Sequence, residues 1–184
     1  EISYLEFAKT EAEENCGFTL LKEIKRTIYE TTEHAKTLQT LSHHQRRDLF
    51  RAVITGLSEF VRPPMLEKTI HCLTIHVMAQ AIVDMNLATS NTTGTVHMLI
   101  EPCEQSKIRG SYEVPIWLVS GMKLYYLDVR SHFLPDEGTE KFTRRFADRG
   151  DHVLTEVLFV NSAGRKDFRA RTIVDQVKNV VSKM

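Results

Sequence analysis

Apolar residues near the start of the chain recur with the period of an α-helix. From residue 18 to about residue 41 they return at intervals of three, four or seven positions, at Phe18, Leu21, Ile24, Ile28, Ala35 and Leu38. This spacing places them on one helix face. Polar residues 10–15 and Gly17 separate this pattern from a shorter one over residues 2–9. We therefore predict a short helix over residues 2–9 and a long one over residues 18–41.

Ser42 and Gln45 predict the start of another helix. Ser42 is a favoured N-cap residue, and Gln45 follows at the spacing of a capping box. Apolar residues between positions 49 and 61 then fall on one face. The pattern ends before Pro63 and Pro64, because a residue that precedes proline is disfavoured in the α region.

Residues 65–86 form the most apolar stretch of the chain. Apolar side chains from Met65 to Met85 would surround a helix here on nearly every side, and such a helix is usually covered by other elements. We predict that it is the central helix. The loop-like residues 88–94, which end at Gly94, then mark the end of the helical half.

Beyond residue 94 the pattern changes to that of β-strands. Four stretches have strand length and are rich in β-branched or aromatic residues, at 95–101, 111–120, 122–133 and 152–161. Gly110 and the pair Ser120 and Gly121 are plausible turns between neighbouring strands, and Pro115 indicates an edge strand or a bulge. Two further helices are predicted, a short one over residues 139–148 and an amphipathic one over residues 167–182.

The predicted fold class is α+β: three N-terminal helices, then an antiparallel sheet of about four strands, then a C-terminal helix. No long linker or internal repeat divides the 184 residues, so we expect a single domain over residues 1–184. Its helical part would cover about residues 1–87, and the sheet with the last helix about residues 95–184.

Composition favours a globular protein from a reducing compartment. Apolar residues make up 42% of the chain and charged residues 26%, which is typical of globular domains. The three cysteines, Cys16, Cys72 and Cys103, form no CxxC pair and so make a poor disulfide or zinc framework. No apolar run has the length of a membrane span. We expect an intracellular protein, cytoplasmic or nuclear, and because the chain begins with Glu1 we expect it to be trimmed or part of a longer protein.

The charges add up to zero but are unevenly distributed. Residues 1–33 hold eight acids and four bases, whereas residues 141–184 hold ten bases and five acids. This asymmetry leaves room for a local basic surface, or for acidic and basic ends that meet between subunits.

Arginine and lysine side chains cluster in three places and are the strongest candidate binding residues. One group lies on the second helix, one on residues 141–149, and one on the turn and first residues of the last helix. The predicted nucleic-acid-binding residues are Arg46, Arg47, Arg51, Arg144, Arg145, Arg149, Arg165, Lys166, Arg169 and Arg171.

If the fold brings the C-terminal groups together, they would form a groove that follows a phosphate backbone. Tyr125, Tyr126 and Phe133 would then offer stacking surfaces for bases. The alternative is that these arginines pair with nearby acids such as Asp148 and Asp167.

Catalytic and metal-binding patterns are weak. His71, Cys72 and His76 lie close together on the predicted third helix, where Lys68, Cys72, His76, Gln80 and Asp84 would form one stripe at i+4 spacing. Such a stripe is either the polar side of that helix or a metal or thiol site. The GxSxG, GxGxxG, P-loop and HExxH motifs are absent from the sequence, and no metal or cofactor is predicted.

Three classes of function are compatible with these patterns. The first is a non-enzymatic, self-associating structural or regulatory protein that contacts nucleic acid through the basic C-terminal groups. The second is a ligand-sensing or protein-partner-binding module that dimerises through the helix over residues 18–41. The third is an enzyme that uses the histidines and cysteine of the third helix. The expected partners are further copies of the chain, nucleic acid and other proteins.

Overall fold

The computed structural model of the chain describes residues 4–37, 39–87, 94–101, 107–134, 157–165 and 168–184, with the backbone alone for residues 4–16. The described α-helices are α1 (Tyr4–Lys36), α2 (His43–Glu59), α3 (Glu67–His71), α4 (Ile75–Leu87), α5 (Ile116–Leu124), α6 (Ser131–Phe133) and α7 (Ala170–Val181). A π-helical segment (Tyr125–Arg130) joins α5 to α6, and the strands are β1 (Thr95–Ile100) and β2 (Gly110–Pro115).

α1 is one continuous helix, so the predicted interruption at residues 10–17 is wrong. Glutamate and alanine, which favour helix, fill all of residues 11–14. A lone glycine such as Gly17 costs a helix only about 1 kcal/mol. The buried side chains of Leu20, Ile24 and Ile28 fix the second half of α1 on the core, which offsets that cost. α1 ends at Lys36, before the predicted residue 41.

The predicted start of α2 is confirmed in atomic detail. The Gln45 amide donates to Ser42 Oγ at 3.2 Å, and the Ser42 amide donates to Gln45 Oε1 at 2.8 Å, which completes the capping box. α2 ends at Glu59, before the two prolines. Its Leu49, Val53 and Leu57 are fully buried, so α2 is a central helix of the fold.

The helix predicted over residues 65–86 is two helices, α3 and α4, with a break at residues 72–74. Thr74 Oγ1 accepts a hydrogen bond from the Val77 amide at 3.3 Å, as an N-cap side chain does. The Leu73 carbonyl accepts one from the Leu158 amide at 2.7 Å, and Thr74 forms a β-bridge with Val157. The break is therefore stabilised by a segment from the distant end of the chain. Val83 and Leu87 on α4 are exposed, so this stretch is not covered on all sides.

Within the described residues, the sheet has two antiparallel strands and not four. β1 agrees with the predicted strand over residues 95–101, and its register pairs Val96 with Val114 and Met98 with Tyr112. All four of these side chains are buried. They make one face of the sheet part of the core.

Residues 116–133 are helical, so the predicted strand over 122–133 and the second half of the strand over 111–120 are wrong. Pro115 has a φ of −59° and is the N-cap of α5, which suits the fixed backbone of proline. Beyond it Leu118, Met122, Tyr125 and Val129 are buried at helical spacing. The β-branched and aromatic composition of residues 116–133 had indicated strands. Because β-propensity depends strongly on context, packing against the core decides the conformation here.

α7 confirms the last predicted helix and packs against α2. It buries Ala170, Val174 and Val181, and Lys178 Nζ lies 2.9 Å from Glu59 Oε2. Of the strand predicted over residues 152–161, residues 157–161 form only the single bridge at Val157. The rest of that strand and the helix predicted over residues 139–148 lie outside the described residues.

The described chain is thus a mixed, broadly α+β fold, mostly helical with a small antiparallel sheet. Its buried apolar residues form one core cluster to which α1, α2, α4, α5, both strands, residues 158–160 and α7 all contribute. In the described part of the chain, no helix combines the length and the apolar character needed to cross a membrane.

Candidate anion-binding cleft

Three of the predicted arginines meet in one cleft between α2 and α7. Arg47 and Arg51 come from α2, and Arg169 is the N-cap residue of α7. The cleft has a volume of about 330 Å³. Its described lining residues are Arg47, Phe50, Arg51, Asn161, Ser162, Phe168, Arg169, Thr172, Ile173 and Gln176. We call it the arginine cleft.

The α2 wall can be understood directly from the sequence. Arg47 and Arg51 are four residues apart and therefore lie one above the other on the same helix face. The capping box at Ser42 fixes where the helix begins, and the buried Leu49 and Val53 fix which face turns inward. Both arginines are left partly exposed at the side of α2 that contacts α7.

A tight turn over residues 161–165 forms the second wall. Asn161 Oδ1 accepts hydrogen bonds from the amides of Ala163 and Arg165, each at 3.0 Å. The Asn161 amide donates to the Arg165 carbonyl at 2.9 Å. Gly164 has a φ of +72°, a left-handed conformation that glycine adopts without steric cost. With Oδ1 satisfied, the remaining polar group of the Asn161 side chain is its NH₂, which can only donate.

The turn is anchored to the core at the residue before it. The Tyr125 hydroxyl donates to the Val160 carbonyl at 2.7 Å and accepts from the Val160 amide at 2.9 Å. Burial raises the pKa of this hydroxyl well above its usual value, although the Val160 backbone and the charge of Arg130 oppose the shift. Tyr125 therefore stays protonated and able to donate.

The base of the cleft is aromatic. Phe50 and Phe168 are both about 95% buried and pack edge to face, with ring centroids 5.2 Å apart. The rings of Phe159 and Tyr125 also contact Phe50. This packing joins the middle of α2 to the residue just before Arg169, beneath the cleft.

The described lining of the cleft carries positive charge. Three arginines line it, and none of its described lining residues is a carboxylate. Among the described residues, no carboxylate lies within salt-bridge distance of Arg47, Arg51 or Arg169. Further donors come from neutral side chains: the NH₂ groups of Asn161 and Gln176 and the hydroxyls of Ser162 and Thr172. Forked guanidinium donors beside neutral donors are the groups that bind phosphate or carboxylate oxygens.

A second groove borders the cleft and is different in character. It has a volume of about 240 Å³ and lies between α1, α2 and α7, where Arg51 and Gln176 are shared with the arginine cleft. Its lining also includes Glu23, Asp48 and several apolar side chains, three of them from α7. Arg51 therefore separates a cationic site from a more apolar and acidic one.

The other predicted arginines do not line the cleft, or lie outside the described residues. Arg165 is exposed on the turn, and the backbone amide of Arg171 donates to Glu67 Oε2 at 3.2 Å. Arg144, Arg145, Arg149 and Lys166 fall outside the described residues, as do Asp148 and Asp167, their predicted partners.

Arg46 faces a different part of the fold, toward His132. Its Nε is buried and has no hydrogen-bond partner among the described residues. Burial lowers the pKa of His132, and the positive charge of Arg46 lowers it further, while the backbone and carboxylate of Asp128 oppose the shift. His132 Nδ1 lies 3.4 Å from Ser131 Oγ.

The predicted stacking surfaces are wrong for at least two of the three aromatic residues. Tyr125 is fully buried and Phe133 is 4% exposed, so neither ring is available to a base. The helical conformation of residues 116–133 turns them into the core, where a strand would have exposed alternate side chains.

The histidine and cysteine stripe is also not formed. The break at residues 72–74 separates His71 on α3 from His76 on α4. The His71 ring packs against the Phe168 ring, with centroids 4.7 Å apart. Within the described ranges, no three histidine, cysteine, aspartate or glutamate side chains lie close enough together to hold a metal ion.

Sequence reasoning missed the neutral half of the arginine cleft. Asn161, Ser162, Thr172 and Gln176 carry no motif of their own. The run Asn161-Ser162-Ala163-Gly164 does have the composition of a turn, and that signal locates the second wall. Its position opposite α2 is determined only by the tertiary packing.

Comparison with known proteins gives no family assignment. The chain matches no protein-family model, no curated protein and no solved structure.

Proposed function

We propose that this chain is a non-enzymatic structural or regulatory protein that contacts nucleic acid through its arginine cleft. The observation that supports the proposal is the meeting of Arg47 and Arg51 with Arg169 in one cleft whose described lining holds no carboxylate. Phosphate groups are the anions that a nucleic acid presents in every sequence, and arginine binds them through two parallel hydrogen bonds.

The proposed contact is with phosphate and not with the bases. Tyr125 and Phe133 are buried, and Phe50 and Phe168 form the base of the cleft with little exposed surface. The described lining of the cleft has no other aromatic ring, so binding there depends on charge and on hydrogen bonds to phosphate. We therefore expect it to be largely independent of nucleotide sequence and strongly dependent on salt.

The salt dependence gives a quantitative test. Three phosphate contacts predict a slope of log K against log salt of about −2 for single strands and about −3 for duplex DNA. The affinity for a single strand should fall roughly 20-fold between about 50 mM and about 200 mM salt. Fluorescence anisotropy with a labelled oligonucleotide measures this slope.

Charge reversal tests where binding occurs. The variant Arg47→Glu/Arg51→Glu/Arg169→Glu should abolish detectable binding at moderate salt. The matched control Arg62→Glu/Arg109→Glu/Lys123→Glu changes the net charge equally at exposed positions outside the cleft and should lose far less affinity. Equal losses in the two variants would mean that only net charge matters and would reject the cleft as the site. Circular dichroism of both variants checks that they fold.

The contribution of residues 144–149 is a separate question with its own variant. If Arg144, Arg145 and Arg149 also contact phosphate, Arg144→Glu/Arg145→Glu/Arg149→Glu should make the salt slope less steep by about 2 to 3. If they do not, the slope should match that of the wild-type chain. The result decides whether the basic groups predicted from the sequence act together.

Self-association is a second part of the proposal and is supported by the charge distribution alone. Residues 1–33 have four more acids than bases, and residues 141–184 have five more bases than acids. Opposite ends of two copies would attract one another at low ionic strength. Light scattering after size exclusion should then show a dimer or larger assembly that dissociates as salt increases. A monomer at every salt concentration would reject this part.

A further inference from the structure

The arginines of the cleft lie on two sides of one space and are not spaced along a groove. Arg47 and Arg51 lie one helical turn apart on one wall, and Arg169 belongs to the other wall. A surface that follows the backbone of a nucleic acid needs cations spaced along its length. Cations on two sides of one cavity are better suited to a single group that carries more than one negative charge.

Terminal and internal phosphates differ in their charge and in their number of acceptor oxygens. An internal phosphodiester carries one negative charge and two non-bridging oxygens. A phosphomonoester carries a charge of about −1.5 to −2 at neutral pH and has three strong acceptor oxygens. Three guanidinium groups with no carboxylate among the described lining residues match the second kind of phosphate better than the first.

The neutral lining supports the same choice. The Asn161 side chain has only its NH₂ group to offer, because Oδ1 already accepts two backbone hydrogen bonds. The hydroxyls of Ser162 and Thr172 are free to orient toward an acceptor. A third phosphate oxygen would find a donor here that the arginines do not supply.

The size of the cleft limits how large a group the bound phosphate can carry into it. Its volume of about 330 Å³ is at the lower end of small-molecule sites. This volume matches a phosphate with the sugar attached to it.

We infer that the arginine cleft binds the terminal phosphomonoester of a single-stranded nucleic acid. This inference rests on the proposed function, because it specifies which phosphate of the nucleic acid the arginines contact. The rest of the strand would leave the cleft and add weaker, sequence-independent contacts.

The test compares oligonucleotides that differ only in their ends. Internally labelled single strands of one sequence carry a 5′-phosphate, a 3′-phosphate or hydroxyl groups at both ends, and anisotropy measures the three affinities at neutral pH and moderate salt. At least one phosphorylated strand should bind about tenfold more tightly than the hydroxyl strand. Preference for one end or for both ends equally supports the inference.

Variants assign this preference to the cleft. Arg47→Gln, Arg51→Gln and Arg169→Gln should each reduce the preference toward unity. Arg165 is an exposed arginine on the turn over residues 161–165, outside the cleft. The matched control Arg165→Gln should keep the preference for the phosphorylated strand. Arg47→Lys retains the charge without the forked donors, so its preference for the phosphorylated strand should lie between those of wild type and Arg47→Gln. An unchanged thermal midpoint in each variant shows that it folds.

The other outcomes separate the two proposals. Equal, salt-sensitive binding of all three strands that the triple glutamate variant abolishes would overturn this inference and leave the proposed function standing. No binding of any strand would overturn both. A nucleoside monophosphate that binds as tightly as the phosphorylated strand would identify a small phosphorylated ligand and overturn the assignment to nucleic acid. A phosphoserine peptide that binds more tightly than any strand would overturn it in favour of a phosphoprotein.

Discussion

The Tyr125 hydroxyl bonds to both backbone groups of Val160: it donates to the carbonyl at 2.7 Å and accepts from the amide at 2.9 Å. Val160 directly precedes the turn that forms one wall of the arginine cleft. One side chain on the π-helical segment therefore fixes the path by which the chain enters this turn.

Tyr125→Phe should destabilise the protein by about 1–3 kcal/mol, because two buried backbone groups lose their partner while the ring stays in place. Urea denaturation gives this difference in the free energy of unfolding. Tyr29→Phe, at an exposed tyrosine of α1, should change it by less than about 0.5 kcal/mol. An unchanged free energy in Tyr125→Phe would show that the two hydrogen bonds are not needed.

Tyr125 should also affect stability at alkaline pH. Its pKa in the folded chain is raised by burial, whereas in the unfolded chain it is near the usual value of about 10. Its contribution is thus fully present below pH 10 and is lost above it, because only the unfolded chain then releases the proton. At pH 11 the loss should be about 1.4 kcal/mol. The advantage of wild type over Tyr125→Phe should therefore shrink between pH 9 and pH 11, and a constant difference would contradict the raised pKa.

Much of the helical half was predictable because its signals are local. The capping box of Ser42 and Gln45 and the two prolines that come after α2 act over a few residues, and the structure confirms both ends of this helix. Arg47 and Arg51 share a face for the same reason, since their spacing alone determines it. One half of the candidate site was accordingly visible in the sequence.

The errors arise where distant contacts decide the local structure. Residues 122–133 have strand-like composition, but Tyr125 and Val129 are buried in the core as parts of a helical segment. The break at Leu73 depends on a hydrogen bond from Leu158, and no pattern near residue 73 predicts this contact. The only local signal is Thr74, whose side chain suits an N-cap. The approach of Arg169 to α2 likewise depends on packing between Phe50 and Phe168.

Arg130 should be important for stability despite its charge. It is 1% exposed, and it donates from Nε to the Leu158 carbonyl at 3.0 Å and from Nη2 to the Val157 carbonyl at 3.1 Å. Arg130→Met should destabilise the chain by about 2 kcal/mol, because both carbonyls lose a charged donor. Thermal and urea denaturation measure the effect. Arg109→Met, at an exposed position, is the control and should be nearly neutral, whereas equal stability of the two variants would contradict the role of the buried guanidinium.

His132 should report the charge of Arg46. Burial and then Arg46 lower the pKa of His132 in the folded chain, so its stabilising contribution is present above the unfolded pKa of about 6.5 and is lost as pH falls through the lower folded value. Arg46→Gln should raise the pKa of His132, as followed by NMR of its ring protons. Arg47→Gln, the neighbouring arginine on the cleft side, is the matched control. If Arg46→Gln leaves the pKa where it was, the interaction is too weak to matter.

Ser42→Ala should cost about 1 kcal/mol, because the first turn of α2 loses its N-cap. Urea denaturation measures the loss, with Ser111→Ala on the exposed side of β2 as a control. The same variant should weaken phosphate binding only slightly, since Arg47 is held mainly by the buried face of α2. A stability equal to wild type would mean that the capping box is dispensable.

The arginines of the cleft are far apart in the sequence, with Arg47 and Arg51 on α2 and Arg169 at the start of α7. Contacts of such long sequence separation tend to be slow to form, because the intervening chain must be ordered first. During synthesis the arginines of α2 emerge long before their counterpart. The cleft can form only after α7 has been synthesised and has packed against α2, so binding through it would report that these two helices have docked.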